Sequence, residues 1–311
     1  MPRSLAMEIL SAIVSSRRTH QHWDDGPTVE REFEAGDFER IELTAPFDVH
    51  VKIGAGPAIH GRGSEAALDA VAIDVDGDRL FITCNGECRG PVEIHITVPA
   101  LRGVRSSGSG DLSIDQIRGE TFDCSSSGSG DVAIGDIDVR QLKLSAAGSG
   151  DMNIGRTRGA ECDIVMMGSG DLAAEAVEFG ELKLRINGSG DAEIDDVSGE
   201  RMEAILSGSG NLAANHVDVQ RIECTTFGSG DVYLGEGTAV GAKLATSGSG
   251  DVSAEAVQLQ EATISVCGSG DVSAHVADRA EIKVMGSGDV RITGGAKCDI
   301  RGSGSGEVHC S

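Results

Sequence analysis

The stretch Gly108-Ser109-Gly110-Asp111-Leu112-Ser113-Ile114 returns twenty residues later as Gly128-Ser129-Gly130-Asp131-Val132-Ala133-Ile134, and again from Gly148. Gly-Ser-Gly triplets begin at Gly108, Gly128, Gly148, Gly168, Gly188, Gly208, Gly228, Gly248 and Gly268, then at Gly286 and Gly304, where the spacing closes to 18. A fixed period of this size marks a solenoid, in which each repeat is one turn and no turn buries its apolar face alone.

Taking the first glycine of each motif as position zero, position +4 holds Leu112, Val132, Met152, Leu172 and their successors, and position +6 adds Ile114, Ile134 and Ile154. Position −4 holds Cys124, Leu144, Ile164, Leu184, Ala204 and Cys224. The residues between are mostly polar, as in Glu181-Leu182-Lys183-Leu184. Period two on both sides of the glycines predicts two short strands flanking a turn, one face of each inside. Glycine at both ends of the triplet fits either a positive φ or a close approach of neighbouring turns.

A 20-residue unit in constant register stacks most simply with each strand pairing to its own copy one turn away. The expected fold is therefore all-β: a single-stranded parallel β-helix of about 20-residue turns, with a thin, dry, two-sided core. The 18-residue spacings place short deletions at the corner far from the glycines, near residues 274–279 and 294–297. Corners tolerate such changes where strands do not.

Three parts follow along the chain. Residues 1–27 read as a flexible segment or short helix; their apolar run, 5–14, is interrupted by Glu8, and a secretory signal requires an unbroken one. On those grounds alone the chain would be cytoplasmic. Residues 28–105 form a strand-rich capping part, with strands expected at 38–43, 47–53, 71–76, 80–83 and 92–98 and one short helix over 64–70. This part is needed to cover the first edge of the coil, where backbone groups would otherwise lack partners. Residues 106–311 are the repeat β-helix, whose last turn offers an edge for pairing with a second copy.

The succession Phe38-Glu39-Arg40-Ile41, Pro46-Phe47-Asp48-Val49 and Ile94-His95-Ile96-Thr97-Val98-Pro99 with Leu101, leading into repeated Gly-Ser-Gly-Asp, resembles the auto-transporter adhesin family that carries the head GIN domain. The similarity covers residues 28 to 311. It implies a β-helix with the triplets at tight turns, a role in cell adhesion, and a place in the cell envelope or outside the cell. It carries over no catalytic residue.

With 26 basic and 50 acidic side chains the net charge is −24, which disfavours nucleic acid and anionic membranes as partners. Aromatic residues make up 3% of the chain, few for the stacking platforms that a glycan-binding cleft usually offers. No apolar run reaches the length of a membrane span. Of the eight cysteines, Cys124 and Cys224 share a column five turns apart, too far to pair. Such cysteines read as small core residues, and only Cys84 with Cys88 and Cys298 with Cys310 are placed to pair. This usage leans towards a reducing compartment.

The sharpest chemical candidate is the column Asp111, Asp131, Asp151, Asp171, Asp191, Asp231, Asp251, Asp271 and Asp289, with Asn211 and Glu307 as variants. In a stack these carboxylates lie about 5 Å apart and repel by a little under ~1 kcal/mol per pair in water. They either accept hydrogen bonds from turn amides, as in Asx turns, or bind Ca²⁺ as a row of oxygen ligands. Asn211 shows that no single charge is required. The motif serines repeat too often to be one nucleophile, and the histidines are scattered in sequence. Cys84-Asn85-Gly86-Glu87-Cys88 lacks the second ligand pair of a zinc site. Near-uniform repeat lengths leave no long loops to build a catalytic cleft.

The expected function is a non-enzymatic structural or interaction module, adhesin-like, with a protein or cell-surface partner. The alternatives are a calcium-binding β-helix and a polysaccharide-active β-helix enzyme.

Overall fold

The computed structural model describes residues 27–311, so the reading of the amino-terminal segment as a helix falls outside the described residues. The fold is a parallel β-solenoid with turns of about 20 residues and 2% helix. The chain divides into two compact units, up to Arg156 and from Thr157. The division falls inside β11 (Met152–Met166).

In the first unit β9 (Leu112–Ser126) and β10 (Val132–Ala146) pair in parallel at an offset of 20, from Val132 on Leu112 to Ala146 on Ser126. The second unit continues the rule through β12 (Leu172–Ile186), β13 (Ala192–Leu206), β14 (Leu212–Thr226), β15 (Val232–Thr246) and β16 (Val252–Val266). There Leu184, Ala204, Cys224, Leu244 and Ile264 are successive partners and all are buried. Each buried aliphatic side chain of this kind contributes about 1.5–3 kcal/mol.

The core is not two-sided. In β10 the buried residues include Val132, Ile134, Ile137, Val139, Leu142 and Leu144, and in β16 they are Val252, Ala254, Val257, Leu259, Ala262, Ile264 and Val266. Strict alternation slips by one residue twice per turn, near Gly135 and Arg140 in β10, and these are the positions that drop out of the Cα pairing. Each slip is a bend that returns the next side chain to the interior. Every turn therefore has a third inward run, which the two runs beside the glycines did not reveal.

The glycine corner is tight for one of the two expected reasons. No motif glycine has a positive φ. A Cβ built on Gly248 would lie 2.8 Å from the carbonyl carbon of Gly228 and closer still to its oxygen. The close approach allows Ser249 N–H to donate to that oxygen at 3.0 Å.

The first shortened turn is absorbed at the far corner: the register shifts between Ala254 and Glu261 as β16 pairs with β17 (Val272–Val284), and the columns then resume with Ala280 on Ala262. The unit ends with β18 (Val290–Thr293), β19 (Lys297–Gly302) and β20 (Val308–Cys310). A Cys298–Cys310 disulfide ties the last two.

The first unit opens with β1 (Thr28–Phe33), β2 (Arg40–Leu43), β3 (Asp48–Ile53), β4 (Ala58–Ser64), α1 (Glu65–Asp69), β5 (Val71–Asp76), β6 (Arg79–Cys84), β7 (Val92–Val98) and β8 (Gly103–Ser106). Strands β2 and β3 are themselves a turn, pairing in parallel with β8 and β9 on one side and with β6 and β7 on the other. Beyond β6 and β7 the pairing becomes antiparallel, with β5 on β6, β4 on β7 and β1 on β4. The capping part thus ends the parallel stack by changing strand direction, so the exposed side is not a copy of the repeat. Sequence alternation missed β1, β4 and β8. In β4, glycine replaces a strand former at Gly61 because a Cβ there would sit 2.7 Å from Phe33 Cε2 and 3.0 Å from Leu68 Cδ2. Ser64 caps α1, its Oγ accepting from Ala67 N–H at 3.2 Å.

Candidate functional site

The aspartate column forms a ladder, but its partners lie one turn away and not in the same turn. In the first unit Asp131 N–H donates to Asp111 Oδ1 at 3.0 Å and Asp151 N–H to Asp131 Oδ1 at 2.9 Å. In the second, the amides of Asp191, Asp251, Asp271 and Asp289 donate to Oδ1 of Asp171, Asp231, Asp251 and Asp271 at 2.7–2.8 Å. A local Asx turn is therefore not the motif. Hydrogen bonds to a charged acceptor contribute about 1.5–3 kcal/mol, which exceeds the repulsion between neighbouring rungs. Asn211 serves equally, accepting from Asp231 N–H at 2.9 Å while its own amide donates to Asp191 at 2.8 Å.

Sequence reading missed the first rung: Asp48 Oδ1 accepts from Asp111 N–H at 2.9 Å. Ala45-Pro46-Phe47-Asp48 occupies the motif position without its glycines. The available signal was Asp48-Val49, an aspartate followed by an apolar residue as in most later motifs. Among the described residues no three His, Cys, Asp or Glu side chains converge to hold a metal ion.

The cysteines fall into three groups. Cys84–Cys88 and Cys298–Cys310 are disulfides, with Cα atoms 6.1 and 6.8 Å apart. Cys124, Cys162 and Cys224 are buried, and desolvation pushes the Cys124 and Cys224 thiols up to about 12, so both stay protonated and unreactive. Cys267 departs from the core reading and is exposed beside the glycine corner.

Apart from the motif groups, two surface hollows among the described residues carry polar side chains. Histidines distant in sequence meet in the first unit, where His60 pairs across to His95, His95 to His50, and His50 to Ser113. The rings of His50 and His95 stack with centroids 4.9 Å apart, and His50 Nδ1 lies 2.6 Å from Ser113 Oγ. They line a hollow of about 440 Å³ with Lys52 and Asp115. Burial first, and then His95, pushes the His50 imidazolium below its ordinary value of 6.5. No carboxylate is hydrogen-bonded to His50 among the described residues, so the Ser113–His50 pair lacks the orienting acid of a hydrolytic triad.

The second hollow, about 410 Å³, lies on an outward face of the second unit. Its rungs stack Arg201, Arg221, Gly241, Glu261 and Arg279 in one column, with Glu223, Lys243, Thr263 and Glu281 in the column beside it. Glu223 is shared by Lys243 at 2.6 Å and Arg201 at 2.7 Å, and Arg279 pairs with Glu281 at 2.6 Å. Lys243 foremost, with Arg201, holds the Glu223 carboxyl below the usual carboxylate range. Among the described residues Arg221 and Glu261 have no ion-pair partner, unlike their neighbours.

A crystal structure titled a "putative adhesin" from Parabacteroides distasonis ATCC 8503 is similar at 16% identity, over 91% of this chain and 97% of its own, with a TM-score of 0.36. A "putative adhesin" from Parabacteroides merdae ATCC 43184 is similar at 16% identity over 91% and 97%, TM-score 0.37. A "putative lipid binding protein" from Parabacteroides distasonis ATCC 8503 is similar at 17% identity over 92% and 97%, TM-score 0.38. No curated protein matches the sequence. The family model described as "Putative auto-transporter adhesin, head GIN domain" matches residues 37–197 and 192–296, reaching both units, and the chain belongs to that family.

Proposed function

We propose that this chain is an adhesin-like, non-enzymatic binding module that works in the cell envelope or outside the cell. One observation carries the reading: the repeated polar chemistry of the motif is taken up inside the stack. Ladder aspartates accept the amides of the next turn, and motif serine amides donate to glycine carbonyls of the turn before. The outward columns are what remain for recognition. They are polar, shallow and stiffly spaced, which suits a partner docking along a surface better than a substrate enclosed for reaction.

Two further points support the location. Four of the eight cysteines are paired, and disulfides persist in oxidising compartments, which reverses the lean towards a reducing one drawn from the sequence. Family membership agrees. No helix among the described residues is long and apolar enough to cross a membrane.

The test is fractionation of cells expressing the full chain, with protease added to intact cells, followed by an adherence comparison with cells lacking it. Expected are surface digestion and reduced adherence on deletion. A protease-protected interior pool with unchanged adherence would refute the reading.

A further inference from the structure

Gly241 stands where the stack does not require a glycine. A Cβ added to it meets no atom within 4 Å, and its φ is not positive, in contrast to Gly248 at the motif corner. Glycine in a strand costs about 0.5–1 kcal/mol relative to alanine, so here it leaves space and relieves no clash. The space is the floor of the 410 Å³ hollow, which falls within the size range of small-ligand sites.

The charges around it are arranged for a ligand with two kinds of group. Arg221 and Glu261 lie one rung to either side of Gly241. Among the described residues neither has an ion-pair partner, although Arg201, Lys243 and Arg279 nearby are all paired. A planar guanidinium binds a carboxylate or sulfate through two parallel hydrogen bonds, and a free carboxylate opposite accepts hydroxyl protons.

We propose that the hollow over Gly241 binds an acidic monosaccharide unit, its carboxylate or sulfate on Arg221 and its hydroxyls on Glu261. This deepens the binding-module reading and rests on it. The site is open at the surface, as required for one unit of a longer acidic polysaccharide.

The test is ligand-observed NMR titration of the full chain with glucuronate, glucose 6-sulfate and glucose. Both acidic sugars are expected to bind and glucose not to; the better of the two identifies the anionic group. Arg221→Ala should weaken binding at least about tenfold, the effect of losing a charged hydrogen-bond pair. Gly241→Leu should abolish binding while leaving the melting temperature within a few degrees, because its Cβ enters open space. Acidic sugars binding no better than glucose, or binding equally to both variants, would overturn the proposal. If adherence persists when that happens, the hollow is wrong and the binding-module reading stands; if acidic sugars bind but deletion leaves adherence unchanged, the reverse holds.

Discussion

Replacing Asp251 tests whether the aspartate column is a backbone-bonding device. Asp251 Oδ1 accepts the Asp271 amide at 2.7 Å, and its own amide donates to Asp231 at 2.8 Å. Asp251→Ala removes an acceptor worth about 1.5–3 kcal/mol when charged. It also relieves repulsion from the rungs on either side, each a little under ~1 kcal/mol at about 5 Å in water and roughly halved at physiological salt. The net expectation is a loss of about 1–2 kcal/mol at 0.15 M salt. Asp251→Asn keeps an oxygen in place, as Asn211 already does, and gives up charge assistance while relieving the same repulsion, so its net change is within about 0.5 kcal/mol.

Global melting blurs such differences in repeat arrays, and amide hydrogen exchange reads them locally. In Asp251→Ala the Asp271 amide should exchange about 5–30-fold faster, the factor that 1–2 kcal/mol represents. In Asp251→Asn it should remain protected. Added Ca²⁺ should leave both protection and melting temperature of the unaltered chain unchanged. Equal losses in the Asn and Ala variants, or calcium-dependent protection, would refute the hydrogen-bonding account and restore the metal-ligand reading of the column.

Three other outcomes are expected. Gly248→Ala should destabilise by about 1–3 kcal/mol through overpacking on the Gly228 carbonyl, while Gly241→Ala should be neutral or stabilising by up to about 1 kcal/mol; paired thermal melts decide. Thr226 Oγ1 is buried without a hydrogen-bond partner, so Thr226→Val, matching Val266 in the same column, should raise stability by about 1 kcal/mol in denaturant titration. Because the folded His50 holds its proton less tightly than the unfolded residue, its contribution to stability is full above pH 6.5 and is lost as the pH falls below it. His50→Gln should flatten the stability profile in that window, measured by melts from pH 7.5 to 5.

The glycine repeat alone determined that strands stack at an offset of 20, because a slip by one residue would put polar residues such as Glu181 and Lys183 into the columns of Leu182 and Leu184, and a slip by two would take one glycine of each triplet out of line. It also located the first shortened corner, since the aliphatic columns resume in register after residue 279. Aspartate as a stack-building residue was half legible: repetition showed that the role is structural, but the partner one turn away is invisible in a linear reading.

Tertiary structure decided the rest. The third inward run, carrying Ile137, Val139, Val257 and Leu259, follows bends that interrupt alternation, and the chain shows no glycine or proline at most of them. His60, His95 and His50 meet because β4 and β7 fold back on β3, contacts set by pairing between segments up to 45 residues apart. The Gly241 hollow is likewise hidden in sequence: one more glycine among 44 gains meaning only when Arg221 and Glu261 are seen on the rungs beside it. Periodic patterns report what each turn shares, whereas a recognition surface is made of the places where turns differ, and those differences acquire a location only when the turns are stacked.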